Sequence, residues 1–324
     1  MNYRQLGGTG IEVSDIGFGA WGIGGDAYGT VDDQNSLDAI AQALDSGINF
    51  FDTADLYGGG HSEELLGVGL KGRRNRAVIA TKVGTLPHSG FYMPQDFSPE
   101  YIRKGLEGSL KRLQTDYLDL YQLHSPKIDQ VEPALETLQC LRQEGKIREF
   151  GVSARSPQDA LTLVQYFNIP VLQVNFNLID QRVIDCGLSA WVLEHHIGVV
   201  VRTPLCFGFL TGELNGNEQF SGTDHRNNWP TEQRRRWANA PTLFAHLLGE
   251  KVSPVHLALG FCLSFPFVST VIPGMLTREQ VEDNVKALEQ TPLEPEELKE
   301  IRKIYEEHEF YDPGIKQALL QHAG

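Results

Sequence analysis

SPEYIRKGLEGSLKRLQTDYLDLYQL, residues 98–123, contains one complete helix-then-strand unit. Ser98 precedes Pro99 and Glu100, so it reads as an N-cap with proline at the first helical position. Ile102, Leu106, Leu110 and Leu113 recur at spacings of three and four, which puts them on one helix face. Leu118–Leu123 follows as a largely apolar run, the signature of a strand buried on both faces.

The same alternation extends outward in both directions. Seven further strands are predicted at Asp15–Gly19, Ile48–Asp52, Ala77–Lys82, Ile147–Val152, Val171–Asn175, Gly198–Arg202 and Val268–Ile272. Leu37/Ile40/Leu44, Leu135/Leu138/Leu141 and Val281/Val285/Leu288 supply the clearest helical stripes between them. Eight β-then-α units predict an α/β protein of the (β/α)8 TIM-barrel type, because a doubly wound sheet would want fewer strands and a glycine fingerprint after the first. Tyr3–Leu6 and Ile11–Ser14 flank Gly7-Gly8-Thr9-Gly10, an N-terminal hairpin that could plug the barrel floor. Glu294–Tyr311, with Leu298, Ile301 and Ile304 at helix spacing, predicts an extra C-terminal helix, and the tail Asp312–Gly324 is expected near the mouth. Leu205–Glu250 lacks strand character and is expected to be a long functional loop after the seventh strand. One domain over 1–324 suffices.

The chain has 324 residues, 41% hydrophobic and 22% charged, enough to bury a large core. With 28 Lys+Arg against 42 Asp+Glu the net charge is −14, which disfavours nucleic acid and anionic membrane surfaces as partners. Cys140, Cys186, Cys206 and Cys262 form no CxxC pair, so neither a zinc site nor a disulfide framework is expected. The N-terminus lacks a basic region leading into an apolar stretch, and no apolar run approaches the ~20 residues of a membrane span. A cytoplasmic protein is expected, either a monomer or a small homo-oligomer.

In a barrel, side chains at the C-terminal ends of strands converge on one mouth. Asp52 closes NFFD, Tyr57 follows in the loop, Lys82 closes VIATK and His124 closes LDLYQLH. Lys82 and Asp52 would be costly to desolvate singly but can pair. A lysine beside Tyr57 should lower the phenol below its usual value of about 10 and make it a proton donor near neutrality. His124 could polarise a carbonyl oxygen from the other side. An Asp before Thr is often a cap, and a lone His at a strand end is often just a satisfied polar residue. The joint placement of all four favours carbonyl chemistry.

At these residues the sequence resembles the aldo-keto reductase superfamily. The motifs are GFGAW (17–21), NFFDTADLYGGGHSEELLG (49–67), ATKVG (80–84), LDLYQLHSP (118–126), GKIREFGVS (145–153), LQVNFNLID (172–180) and VIPGMLTREQVEDN (271–284). The resemblance covers nearly the whole chain. It implies NADPH-dependent reduction of an aldehyde or ketone, with NADP(H) bound without a GxGxxG loop, NAD(H) as the alternative cofactor, and no metal. It makes Tyr57 the general acid, Lys82 its pKa-lowering partner, Asp52 the carboxylate that orients Lys82, and His124 the residue that orients the carbonyl. Trp21, Tyr57 and His124 would line the substrate pocket, with Tyr28 or Tyr92 from loops.

The resemblance also implies a cofactor set. Ser153 and Gln173 would hold the nicotinamide carboxamide, with Ala154 standing where relatives often carry Asn and Asn175 as a substitute. Arg202 stands where some branches stack an aromatic ring, and its planar guanidinium can stack similarly. Gly19, Ala20, Trp21, Asp52, Pro204, Leu205, Gly208 and Leu210 complete the mouth side. Gly274, Thr277, Arg278, Gln280, Asp283 and Asn284 would hold the adenosine end at a helix N-terminus, which attracts phosphate. Met275-Leu276 stand where relatives place a cation, leaving Arg278 as the nearest positive charge for a 2′-phosphate. Other expectations are an NADPH-holding, redox-sensing regulatory subunit, or a reductase of a ketosugar, a polyketide or an enone.

Overall fold

Apolar strands too short to bury both faces alone must associate, and here eight of them pair in parallel in chain order. They are β3 (Phe18–Gly19), β4 (Phe50–Asp52), β5 (Val78–Val83), β6 (Leu118–His124), β7 (Ile147–Ser153), β8 (Val171–Asn175), β9 (Gly198–Arg202) and β10 (Thr270–Val271). Parallel bridges Ile16↔Val271 and Gly19↔Gly274 join the first strand to the last and close the sheet into a barrel. The predicted first and last strands are longer than β3 and β10. Their outer residues are held by single bonds instead, such as Gly17 N–H to Val271 O and Ile272 N–H to Val201 O. The structure, a computed structural model, describes residues 1–88, 93–249 and 252–315.

The crossovers are helical: α1 (Asp33–Asp45) after β3, α2 (His61–Gly69) after β4, α3 (Pro99–Leu113) after β5, α4 (Val131–Gln143) after β6 and α5 (Pro157–Tyr166) after β7. Two short helices, α6 (Arg182–Asp185) and α7 (Leu188–Glu194), follow β8. Helices α8 (Thr231–Leu243) and α9 (Pro254–Leu263) follow β9, α10 (Arg278–Lys286) follows β10, and α11 (Pro295–Glu307) is the extra C-terminal helix. Ser98 caps α3 as its sequence requires, its hydroxyl accepting from Tyr101 N–H. Among the described residues no helix is long and apolar enough to cross a membrane.

The hairpin is β1 (Tyr3–Gln5) paired with β2 (Glu12–Ser14). Its Leu6, Ile11 and Val13 form one apolar cluster with the inward residues Phe50, Val78, Ala80, Leu120, Val171, Val200 and Ile272, so it does plug the floor. The contact is tight: Gly7 has φ +57, and a Cβ there would meet Gly198 N at 2.2 Å. Two residues further along each strand, the inward positions become polar. Phe50 gives way to Asp52, Ala80 to Lys82, Leu120 to Gln122 and then His124, Val171 to Gln173, and Val200 to Arg202.

The expectation of a long loop over Leu205–Glu250 is corrected. The segment holds a 3-10 turn at Cys206–Thr211, another at His225–Asn228, and α8. Helix α8 buries Gln233, Trp237, Ala238 and Ala240, a stripe masked in the sequence by Arg234-Arg235-Arg236 and Pro241. The Gln233 amide donates to Phe310 O and its carbonyl accepts from Asp312 N–H, which ties α8 to the chain after α11. Tyr92 and residues 316–324 of the predicted tail lie outside the described residues.

Candidate active site

Register brings the polar ends of the strands side by side. Lys82 pairs with Gln122, His124 with Ser153, Ser153 with Gln173, and Asn175 with Arg202. Lys82 is wholly buried, and its ammonium donates to Asp52 Oδ2 at 2.5 Å, Thr53 O at 2.9 Å and the Tyr57 hydroxyl at 3.2 Å. The other Asp52 oxygen accepts from the amides of Gln173 at 2.7 Å and Gln122 at 3.4 Å. A fully buried charge pair is tolerable only with such extra bonds to its remaining lone pairs.

Tyr57 sits at the start of a 3-10 turn whose next residue, Gly58, has φ +60. A Cβ on Gly58 would meet Gly24 O at 2.2 Å, and its N–H donates to Asp26 Oδ2 at 3.0 Å. The turn therefore packs backbone to backbone against the loop after β3 and fixes the phenol over Lys82. Behind β5, Glu63 accepts from Thr81 Oγ1 and Arg112 Nε, both at 2.6 Å. Burial, reinforced by the Glu63 charge, pushes the Asp55 carboxyl up to about 7.

Burial is the largest influence on Lys82 and opposes its charge, but Asp52 and Tyr57, through charge and hydrogen bonds together, outweigh it and raise the lysine. Burial, and then Lys82 and Arg202, drives His124 well below the usual histidine value, so its imidazole is neutral. The His124 and Tyr57 ring centroids are 6.0 Å apart, edge to face. One expectation is corrected here. Lys82 does pull the Tyr57 phenol down, but desolvation is larger, and the net shift is upward. Tyr57 thus holds its proton through the neutral range.

Among the residues expected to face a nicotinamide, the Ser153 hydroxyl donates to Gln173 Oε1 at 3.2 Å, so Gln173 spans from Ser153 to Asp52. Asn175 Oδ1 accepts from Thr203 Oγ1. Arg202 Nη2 donates to Ala154 O at 3.0 Å, while Arg202 Nε and His124 Nδ1 are buried without partners. These unpartnered atoms fit a ring-plus-amide group at the mouth. Gly19 lies against the last strand, where a Cβ would meet Pro273 O at 2.8 Å, and Ala20 N–H donates to Asp52 O. Pro204, Leu205 and Gly208 lie in a stretch with Thr203, Cys206 and Phe207 at positive φ, backbone that is held in place only by its surroundings. Leu210 is buried in the core.

Among the residues expected to hold the adenosine end, the Thr277 hydroxyl caps α10 by accepting from Gln280 N–H, and Gln280 Oε1 accepts from Leu276 N–H at 2.7 Å. Arg278 donates to Gln42 Oε1 at 3.0 Å, Asp283 pairs with His256 at 3.1 Å, and Asn284 is buried. Gly274 is unobstructed. Thr277, Arg278 and Gln280 stand at the N-terminus of α10, whereas Asp283 and Asn284 lie in its second half and Asp283 points its carboxylate to α9.

Trp21 lies 6.0 Å from Tyr57, 5.5 Å from Tyr28 and 4.4 Å from His225, ring centroid to centroid. His225 and Phe207, 4.9 Å apart, join this aromatic cluster and were not assigned by sequence reasoning. The polar run Asp224-His225-Arg226 in the segment after β9 was the available signal. Gln122 was likewise missed, although its inward parity beside Lys82 marks it.

The sequence profile of the Aldo/keto reductase family matches residues 15–306. The aldo-keto reductase YhdN of Bacillus subtilis is 33% identical over 316 residues, covering 94% of each chain. A probable voltage-gated potassium channel subunit beta of Oryza sativa subsp. japonica is 30% identical, covering 94% of this chain and 96% of the relative. The solved holo form of aldo-keto reductase AKR11C1 from Bacillus halodurans superposes with a TM-score of 0.78 at 34% identity, covering 94% of this chain and 96% of that one. The chain belongs to the aldo/keto reductase family. It is an NAD(P)H-dependent oxidoreductase acting on small carbonyl compounds, built as a (β/α)8 barrel.

Proposed function

We propose that the protein reduces an aldehyde or ketone to an alcohol with NADPH, and that Tyr57 gives the carbonyl oxygen its proton. The observation that carries this is the ammonium of Lys82, which bridges the Asp52 carboxylate and the Tyr57 hydroxyl inside the barrel mouth. Tyr57 arrives protonated, and Lys82 is placed to stabilise the phenolate as the proton leaves. Neutral His124 offers a hydrogen bond that orients the carbonyl without adding charge. Gln122 and Gln173 hold the second oxygen of Asp52, so its other oxygen keeps facing Lys82. The bound nicotinamide supplies the hydride. Ser153, Gln173 and Arg202 are the residues that would hold its amide end, and the α10 N-terminus with Arg278 would hold the 2′-phosphate, favouring NADPH over NADH.

The substrate pocket is the aromatic wall of Trp21, Tyr28, Phe207 and His225. It suits a small uncharged carbonyl compound, with ketosugars, polyketides and enones as the classes to screen. We take the chain as one domain of a cytoplasmic protein. Loss of NADPH absorbance with 4-nitrobenzaldehyde, compared between wild type and Tyr57→Phe, tests the reading. Turnover by wild type abolished in the variant supports it. Tight NADPH binding with no turnover of any carbonyl panel would favour a redox-sensing subunit instead, the reading that the likeness to the potassium channel subunit keeps open.

A further inference from the structure

Arg202 is a half-buried cation that, among the described residues, pairs with no carboxylate. It ends β9 at an inward position beside Asn175. One Nη donates to Ala154 O, and Nε is buried with no partner. The nearby carboxylates are already paired: Asp52 with Lys82 at 2.5 Å, and Asp180 with Arg182 by two bonds of 2.7 Å. Among the described residues none comes within ion-pair distance of Arg202. Burial lowers its pKa, yet a guanidinium remains charged at neutrality. Its field already reaches the neighbours, since together with burial and Lys82 it keeps His124 uncharged.

A nicotinamide ring is neutral when reduced and carries a positive charge when oxidised. Partly shielded from water, a guanidinium with no ion-pair partner beside that ring disfavours the second form and leaves the first untouched. An aromatic ring at this position would do the reverse, because a π face attracts a cation. We propose that Arg202 makes this site select the reduced cofactor over the oxidised one, so that the protein runs as a reductase and releases its spent cofactor readily. This rests on the reading of the barrel mouth as a nicotinamide site.

The test is a binding measurement without carbonyl substrate. Dissociation constants for NADPH and NADP+ are read from quenching of tryptophan fluorescence at pH 7 in wild type, Arg202→Gln and Arg202→Lys, with thermal melts to establish folding. We expect wild type to bind NADPH at least about tenfold tighter than NADP+, and Arg202→Gln to shrink that ratio about tenfold, chiefly by tightening NADP+. Arg202→Lys should keep the ratio. If Arg202→Gln does not fold, Arg202→Met carries the same comparison. Equal weakening of both cofactors, or an unchanged ratio, overturns the proposal and leaves the nicotinamide reading intact. Wild type that binds neither form overturns both.

Discussion

Lys82 and Tyr57 stand 3.2 Å apart, ammonium to phenol oxygen, across the top of β5. Neither group faces bulk solvent freely, and the lysine is held on its far side by Asp52 at 2.5 Å. The phenol is thus both hard to ionise in the resting site, where burial dominates, and provided with a cation to receive its charge when it gives up the proton. Tyr57→Phe should lower carbonyl reduction by at least ~10²–10⁴ while cofactor binding stays within a few-fold, because only the proton donor is removed. Steady-state turnover and NADPH titration check this; turnover above about a tenth of wild type would refute the assignment.

Lys82→Met should destabilise by about 3–5 kcal/mol, because it leaves the Asp52 carboxylate buried without its cation. Lys82→Met combined with Asp52→Leu should recover much of that loss, since an apolar pair of similar volume needs no partner. Urea unfolding of the three proteins decides, and a double variant less stable than the single would contradict the pairing argument.

Two buried groups give stability opposite pH slopes. Burial lowers His225 to about 4, so between that value and the ordinary histidine pKa the unfolded chain binds a proton that the folded one does not. Its contribution is present above about pH 6.5 and is lost on acidification, at up to ~1.4 kcal/mol per pH unit. Asp55, raised to about 7, behaves in reverse: the folded chain keeps a proton that the unfolded chain releases, and stability falls as pH rises through the range between the ordinary carboxylate value and 7. Asp55→Asn should therefore raise Tm more at pH 7.5 than at pH 4.5, and His225→Asn should flatten the acid limb. Scanning calorimetry at both pH values tests the pair of signs.

Gly58→Ala should cost upwards of ~1–3 kcal/mol, because the residue sits at φ +60 and its new methyl would meet Gly24 O at 2.2 Å. The turn that carries Tyr57 must shift to relieve the clash. Turnover should fall further than stability alone explains, and a variant with wild-type kcat would show that the turn tolerates displacement.

Arg278→Ala should weaken NADPH about ten- to hundredfold and leave NADH nearly unchanged, as expected for loss of one charge-assisted contact to the 2′-phosphate. Among the described residues the Arg278 side chain hydrogen-bonds to the neutral Gln42. Equal losses for both cofactors would show that it does not read the phosphate.

The barrel and most of its mouth were legible from the sequence because both obey local rules. Helix α3 begins at Pro99 behind Ser98, and β8 and β9 occupy the predicted spans. Period and capping are set by neighbours a few residues away, and parallel closure follows from eight such units. Asp52, Lys82 and His124 stood out as polar residues ending apolar strands, and the family motifs carried Tyr57. Helix α8 was not legible, since its buried face is defined largely by contacts with Phe207 and the chain after α11, both distant in sequence.

The sequence alone determined the order of the elements and which strand ends would carry charge, because hydrophobic periodicity and capping are properties of short segments. Only the tertiary structure decided how those charges behave. It showed that Gln122 and Gln173 share Asp52, that Tyr57 is raised although Lys82 adjoins it, and that among the described residues Arg202 has no ion-pair partner. Desolvation and pairing depend on what surrounds a group in three dimensions, and those surroundings come from strands β4 to β9 and their loops.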